Sequence, residues 1–183
     1  PQVQDTLAAA ERNLSVDPAL LYVYFVPSAE SSESVAVSDD QPNAFQQNGR
    51  ADDQLEVMLI PPGGQPIRKR LWGVNREQVA VQSTELRDQL TNQFSRKSDY
   101  LPSAQQLYDW IIRPLSEDLA SLGTDNIAFI MDDGLRTIPI AALHDGEQFL
   151  VESYSLALMP TFSLTDLSLT TGHQRYLAGS SDV

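Results

Sequence analysis

Two short apolar runs limit most strongly what this chain can fold into. The first, ALLYVYFVP, covers residues 19 to 27, and the second, NIAFIM, covers residues 126 to 131. Neither run alternates between apolar and polar residues, which is typical of strands that are buried on both faces. An amphipathic helical pattern precedes the second run, and a helix followed by such a strand is half of a βαβ unit. The sequence therefore predicts an α/β fold with buried central strands.

Composition excludes several classes of function. The chain has 183 residues and is 42% hydrophobic, enough to bury the core of one domain, or of one large domain with a small annex. It contains no cysteine, so disulfides, cysteine-ligated zinc and thiol catalysis by this chain are excluded. Its net charge of −13 repels phosphate backbones, so we expect no nucleic-acid partner. The basic triplet 68–70 is interpreted as the solvated side of a strand.

Targeting signals are also missing from the sequence. No apolar run approaches the roughly 20 residues that span a bilayer, and the first residues do not form a signal peptide. We therefore expect no membrane partner and a cytoplasmic location. Because the chain begins with Pro1, we expect it to be a processed or trimmed piece of a longer protein.

The N-terminal part predicts a helix, three strands and a second helix. The first helix covers residues 3 to 14, and strands follow at 19–27, 54–60 and 67–74 as an antiparallel meander. A long, solvated, acidic loop is expected at 28–53. The second helix begins after a capping box formed by Asn75 and Gln78. Its predicted apolar stripe comprises Val79, Leu86, Leu90 and Phe94.

The central part predicts a linker and then the clearest helix of the sequence. The linker covers residues 96 to 101, and Ser103 with Gln106 forms a second predicted capping box. Pro114 should kink this helix, and Gly123 should terminate it. Its predicted buried face comprises Leu107, Trp110, Ile111, Leu115, Leu119 and Leu122. Further strands are predicted at residues 154–159 and 176–178.

Two aspartates directly follow the NIAFIM strand. Ligands of open α/β sheets bind at the carboxyl ends of the strands, so Asp132 and Asp133 could hold Mg²⁺ or act as acid and base. The simpler interpretation is a turn at Asp132-Asp133-Gly134, with the two carboxylates pointing in different directions. We favour the turn, and a hydrolase that uses Asp132, Asp133 and His144 remains the least favoured alternative.

His144 and Asp145 raise the possibility of a catalytic triad with Ser153, Ser155 or Ser163. No G-x-S-x-G elbow is present, and a carboxylate next to a histidine in sequence is badly placed to orient that histidine's ring. We favour a structural histidine that closes the LHDGE turn. His173 has no partner at metal-ligand spacing, and no glycine-rich phosphate loop occurs. We therefore assign no catalytic, metal or cofactor-binding residue and expect no cofactor.

The segment from Leu107 to Leu167 resembles part of a known family. LYDWIIRPL, then NIAFIMDDG, then LRTIPIAALHDGEQFLVESYSLALMPTFSLTDL follow the order of the first half of a CHAT domain. CHAT domains are caspase-like domains that often accompany tetratricopeptide repeats (TPRs). The resemblance extends over residues 54 to 179, and QLYDWIIRPL, PIRKR and SLALMP are most similar to the cyanobacterial branch.

The resemblance implies a caspase-like, three-layer α/β/α fold with a central, mostly parallel sheet and an N-terminal antiparallel meander. It also implies a histidine–cysteine dyad, with the histidine in an H-x-x-[ST]-H-G motif and the cysteine in an S-A-C motif. In CHAT domains both motifs lie downstream of the matched region, and this sequence contains neither. His144 corresponds to the family's structural AALHDG motif, so no catalytic role is carried over to it.

The resemblance divides the chain at about residue 100. Residues 1–100 hold N-terminal strands, helices and the acidic loop, and residues 101–183 match the first half of a CHAT domain, with both parts expected to form one structural unit. The resemblance then implies that the chain is the non-catalytic, pseudo-caspase-like portion of a clan CD cysteine protease. Its expected partners are the catalytic half, in cis or as a second chain, and a TPR or other sensor domain.

The alternative is a free-standing protein-interaction module with a caspase-like fold and no protease activity. Its acidic loop and negative surface would then bind a basic partner.

Overall fold

The computed structural model describes residues 2–14, 17–28 and 49–160. They contain five strands, β1 (Pro18–Val26), β2 (Gln54–Ile60), β3 (Ile67–Asn75), β4 (Asn126–Met131) and β5 (Ser155–Met159). The helices are α1 (Gln2–Leu14), α2 (Arg76–Thr91), α3 (Lys97–Ile111), α4 (Ser116–Ser121) and α5 (Leu150–Ser153). The strands form one sheet in the order β3-β2-β1-β4-β5.

The sheet is mixed, with β1 at its centre. β1 pairs antiparallel with β2, and β2 pairs antiparallel with β3, which confirms the predicted meander. On its other side β1 pairs parallel with β4, and β4 pairs parallel with β5. The α/β class and the N-terminal meander are therefore as predicted, with the parallel ladders confined to the β1-β4-β5 half of the sheet.

Helices cover both faces of this sheet. On one face, side chains of β1, β2 and β4 pack against α2, α3 and α4 in the main core, which includes Leu21, Val57, Leu107 and Phe129. On the opposite face, Leu7 of α1 packs against Leu20 and Ile60. β1 thus contributes fully buried side chains to both layers, as its uninterrupted apolar sequence predicted. The arrangement is the predicted three-layer one.

The boundary between α2 and α3 differs from the sequence prediction. Asn75 and Gln78 form the predicted capping box of α2, and Val79 and Leu86 are buried. However, α2 ends at Thr91, so Phe94 lies beyond it and is 81% exposed, while Leu90 is partly exposed. The predicted stripe was therefore right only over its first half.

The predicted linker at 96–101 was wrong, because α3 already begins at Lys97. The Asp99 carboxylate accepts a hydrogen bond of 2.8 Å from the Arg96 backbone N–H and so caps the start of this helix. Ser103 lies inside the helix and is buried, so it is not the capping residue. The Ser103–Gln106 spacing is that of a capping box, but α3 continues through Pro102 and both residues lie within the helix.

Pro114 breaks the helical segment instead of bending it. α3 ends at Ile111, a 3₁₀ turn covers Arg113–Leu115, and α4 starts at Ser116. Leu107, Ile111, Leu115 and Leu119 are fully buried as predicted, whereas Trp110 is half-buried and Leu122 is partly exposed. Gly123, with φ +64°, ends α4 in the left-handed conformation that glycine adopts without strain.

Some predicted features lie outside the described residues. These are the acidic loop between residues 29 and 48, Ser163, His173 and the strand at 176–178.

Leu107→Ala tests the core assignment. Leu107 lies on the buried face of α3, so its truncation should lower the free energy of unfolding by about 2–5 kcal/mol in urea denaturation. Val81→Ala on α2 is the control, because Val81 is exposed and its truncation should change stability little. Equal losses from the two substitutions would contradict the packing described.

Candidate functional site

Arg76 lies at the edge of the sheet where the parallel strands end. It is the first residue of α2, directly after the capping residue Asn75. Its Nη2 atom lies 3.6 Å from Asp53 Oδ2 and 3.6 Å from Asp132 Oδ2. The guanidinium also stacks over the Phe25 ring, 4.2 Å from the ring centroid. One cation therefore joins the end of β1, the start of β2, the start of α2 and the residue that follows β4.

The chain packs closely around Arg76. Its backbone N–H donates to the Asp53 carbonyl at 2.9 Å, and Asp53 Oδ2 also accepts from the Arg50 backbone N–H at 2.8 Å. A Cβ atom placed on Gly49 would lie 2.2 Å from the Arg76 guanidinium, so any larger residue there would displace this side chain. The carboxyl edge is thus closed by an internal ion-pair network.

Asp132 and Asp133 form a turn, as the sequence predicted. The Asp132 carbonyl accepts from the Leu135 N–H at 3.0 Å, and Gly134 between them has φ +88°. The two carboxylates point to different partners, since Asp132 faces Arg76 and Asp133 lies 3.5 Å from Arg136 Nη1. Among residues 2–14, 17–28 and 49–160, no group of three His, Cys, Asp or Glu residues is placed to hold a metal ion.

His144 is buried and closes the predicted turn. Its Nδ1 atom accepts a hydrogen bond of 3.0 Å from the Gly146 backbone N–H, so the proton of the neutral ring lies on Nε2. The Phe149 ring packs against the imidazole at 4.8 Å between centroids and nearly perpendicular to it. Nε2 has no hydrogen-bond partner in the described part of the chain. This arrangement fits the structural role predicted for His144.

Asp145 holds the same turn and does not orient the imidazole. Its Oδ1 atom accepts from the backbone N–H groups of Glu147 at 2.7 Å and Gln148 at 2.8 Å. Burial raises the pKa of Asp145, but these two hydrogen bonds, together with nearby charges that include Arg113, outweigh it and the net pKa is lowered. Ser153 Oγ accepts from the Gln148 side chain at 2.6 Å. Within residues 49–160, neither Ser153 nor Ser155 is hydrogen-bonded to His144, and Ser163 lies outside the described residues.

A second polar cluster lies on the outer face of the sheet, and sequence reasoning missed it. We call Tyr24, Glu56, Arg68 and Arg70 the Glu56 cluster. Glu56 is 1% exposed, and its Oε1 atom accepts hydrogen bonds from the Tyr24 hydroxyl and from Arg68 Nε. Arg70 Nε lies 3.3 Å from Glu56 Oε2. A lone glutamate within QLEVMLI was the available signal, because a charge between apolar strand residues needs a buried partner.

The cluster changes the acidity of both acidic groups. Burial raises the pKa of Glu56, but the hydrogen bonds from Arg68 and Tyr24 and the two arginine charges outweigh it and lower the net pKa. Burial, the hydrogen bond to Glu56 and the charge of Glu56 raise the pKa of Tyr24 to about 12. At neutral pH, Glu56 is therefore ionised and Tyr24 is protonated.

The comparison with protein families bears on the segment after residue 100. A family model of the CHAT domain matches residues 101–178. This segment is similar to part of a CHAT domain, a caspase-like family, and the mixed α/β sheet is consistent with a caspase-like fold. The match begins within α3 and includes α4, β4, the His144 turn and β5. No curated protein and no solved structure matches the chain significantly.

One further property concerns membranes. In the part of the chain that the structure describes, no helix combines the length and apolar character needed to cross a bilayer.

Arg76→Gln tests the closed carboxyl edge. It removes the shared cation and leaves the poorly exposed Asp53 carboxylate without its guanidinium partner, so the free energy of unfolding should fall by about 1–3 kcal/mol. Asp133→Asn is the control, because the Asp133 carboxylate is almost fully exposed and its pair with Arg136 should contribute little. Equal stabilities of Arg76→Gln and the unmodified chain would contradict a structural role for Arg76.

Acid titration tests the Glu56 cluster. Because folding lowers the pKa of Glu56, its ionisation stabilises the fold above the unfolded pKa of about 4.5, and this stability is lost as pH falls through the lower folded value. We expect Glu56→Gln to lose less stability than the unmodified chain between about pH 7 and pH 3, measured by urea denaturation. An identical loss of stability in both proteins would show that the ionised Glu56 carboxylate does not stabilise the folded state.

Proposed function

We propose that this chain is the non-catalytic, pseudo-caspase-like portion of a CHAT-family cysteine protease and supports a catalytic part that carries the histidine–cysteine dyad. The CHAT match over residues 101–178 is the observation that carries the proposal. The sequence contains no cysteine, so a thiolate nucleophile would have to come from the catalytic part, in cis or on a second chain.

The state of the polar residues supports a structural role. Each of these residues faces a partner within the fold. His144 accepts from the Gly146 amide and Asp132 faces Arg76. Asp145 accepts from two backbone amides of its own turn. A general base needs a nitrogen or carboxylate within reach of a substrate, whereas His144 is buried. On this proposal residues 1–100 and 101–183 form one structural unit, which is supported by the sheet that their described strands share.

The β5 edge is where we place the catalytic part. β5 is the outermost strand on the parallel side, and no described residue pairs with its outer edge. Leu158 is 47% exposed, although its neighbour Phe129 on β4 is fully buried. An unpaired strand with an exposed leucine favours continuation of the sheet by another segment. A TPR or other sensor would then act on the protease through this shared sheet.

The experiment uses the native gene product and an electrophilic peptide probe that labels catalytic thiolates. We expect the probe to label a longer chain or a co-purifying second chain, identified by intact mass. Peptide cleavage by the purified 183-residue chain alone would overturn the non-catalytic assignment. A native product that is no heavier than this chain and remains unlabelled would overturn the protease assignment.

Leu158→Asp tests the β5 edge in the same labelled complex. A segment that continues the sheet at β5 would desolvate the aspartate charge and would therefore dock less tightly. The labelling rate should fall about tenfold or more, which corresponds to roughly 1.4 kcal/mol of docking free energy. Leu122→Asp is the matched control, because Leu122 is a comparably exposed leucine at the end of α4, away from β5. Equal effects of the two substitutions would argue against docking at β5.

A free-standing interaction module is the second candidate. The exposed Trp72 on the opposite edge strand favours it, because large aromatic residues are enriched at binding surfaces. This candidate predicts that the native product stays unlabelled and that the purified chain is a monodisperse monomer in analytical ultracentrifugation.

A further inference from the structure

β3 presents an unpaired, positively charged edge at the side of the sheet opposite β5. It is the outermost strand in the described sheet, so the backbone groups on its outer side have no partner strand there. Arg68, Arg70 and Trp72 project from one face of β3, because successive side chains of a strand alternate between faces. Ile67 and Leu71 lie on the other face and pack against the main core.

α1 does not extend its apolar contacts over this row. The cluster beneath α1 includes Tyr22 and Met58, and the next outward-facing residues along those strands are Tyr24 and Glu56. Among the described residues, the charged partners of the buried Glu56 carboxylate are Arg68 and Arg70, which lie on the same face of the sheet. On this face, the row along β3 consists of two guanidinium groups followed by the exposed indole of Trp72.

The Glu56 cluster holds these guanidinium groups in place. Arg68 donates through Nε to Glu56 and is still 62% exposed, so its terminal nitrogens remain available for a further acceptor. Arg70 lies 5.1 Å from the Trp72 ring centroid, which fixes the position of the indole beside it. A donor group that is already ordered loses less entropy when it binds a partner.

The positive charge of the β3 edge favours an acidic partner. Two guanidinium groups surround one carboxylate, so the Glu56 cluster keeps an excess positive charge on a chain whose net charge is −13. A second copy pairing antiparallel through β3 would bring arginine rows together, which disfavours self-association. An acidic strand would place its carboxylates against Arg68 and Arg70.

We propose that β3 is a docking edge for an extended acidic segment of a partner protein, which adds a strand to the sheet. Its acidic side chains would lie beside Arg68 and Arg70, and its apolar side chains beside Ile67 and Leu71. Trp72, 73% exposed, would contact the segment at one end of the row. The regular register of β3 with β2 ends at Arg70 and a bulge follows, so the added strand would pair with the part of β3 before the bulge and meet Trp72 at its end.

The test is a titration of the chain with a peptide of about eight residues that alternates glutamate and valine, long enough for one added strand. Backbone amide shifts and hydrogen exchange are followed by NMR. We expect saturable binding, with shifts and protection confined to residues 67–72 and the Trp72 indole. A peptide in which lysine replaces glutamate should not bind.

Substitutions on β3 separate the charged row from the rest of the strand. Arg68→Gln should weaken binding of the glutamate peptide about tenfold, while Arg70 still neutralises Glu56 and the Tyr24 hydroxyl still donates to it. Lys69→Gln is the matched control on the opposite face, where Lys69 lies 3.7 Å from Asp118, and it should weaken binding by less than about twofold. Trp72→Ala provides a second variant at an exposed position and should also weaken binding.

Three results would overturn the proposal. Absence of saturable binding would mean that the basic residues only keep strand edges of different molecules apart. Equal binding of the lysine peptide would show that the charges of Arg68 and Arg70 do not select an acidic segment. Binding that is unchanged in both Arg68→Gln and Trp72→Ala would place the site elsewhere on the chain.

Discussion

Burial of β1 on both faces is the constraint on which the rest of this structure depends. Ala19, Leu21 and Val23 face the layer of α2, α3 and α4, whereas Leu20 faces α1. A strand buried in this way must satisfy its backbone groups laterally, and β1 does so by pairing with β2 on one side and β4 on the other. The antiparallel and parallel halves of the sheet meet at this strand.

Buried charge is arranged so that it fixes the fold at two places. At the carboxyl edge, Arg76 joins Asp53 and Asp132, and on the outer face Glu56 is neutralised by Arg68 and Arg70. Removal of Arg76 would leave the poorly exposed Asp53 carboxylate without its guanidinium partner, whereas Glu56 keeps one arginine when the other is removed. Polar residues near the sheet edge of a caspase-like fold can therefore be structural, and their position alone does not make them catalytic.

The two edges of the sheet have different character. β5 lies within the segment that matches the CHAT domain and exposes an aliphatic side chain, which suits continuation of a sheet within one assembly. β3 lies outside that segment and carries arginines and an exposed tryptophan, which suits reversible binding of an acidic segment. On the proposed docking at both edges, one sheet would connect the catalytic part at β5 with an acidic partner segment at β3.

The sequence by itself determined the strands, the capping box at Asn75 and the turns at Asp132 and His144, because each depends on local periodicity or turn chemistry. It misplaced the start of α3 and placed Phe94 within α2, since the Ser103–Gln106 spacing and a continuing apolar pattern gave misleading local signals. Only the tertiary structure brought together Glu56 with Arg68 and Tyr24, and Arg76 with Asp132. Those partners are distant in sequence, and their pairing follows from strand register, which local patterns do not encode.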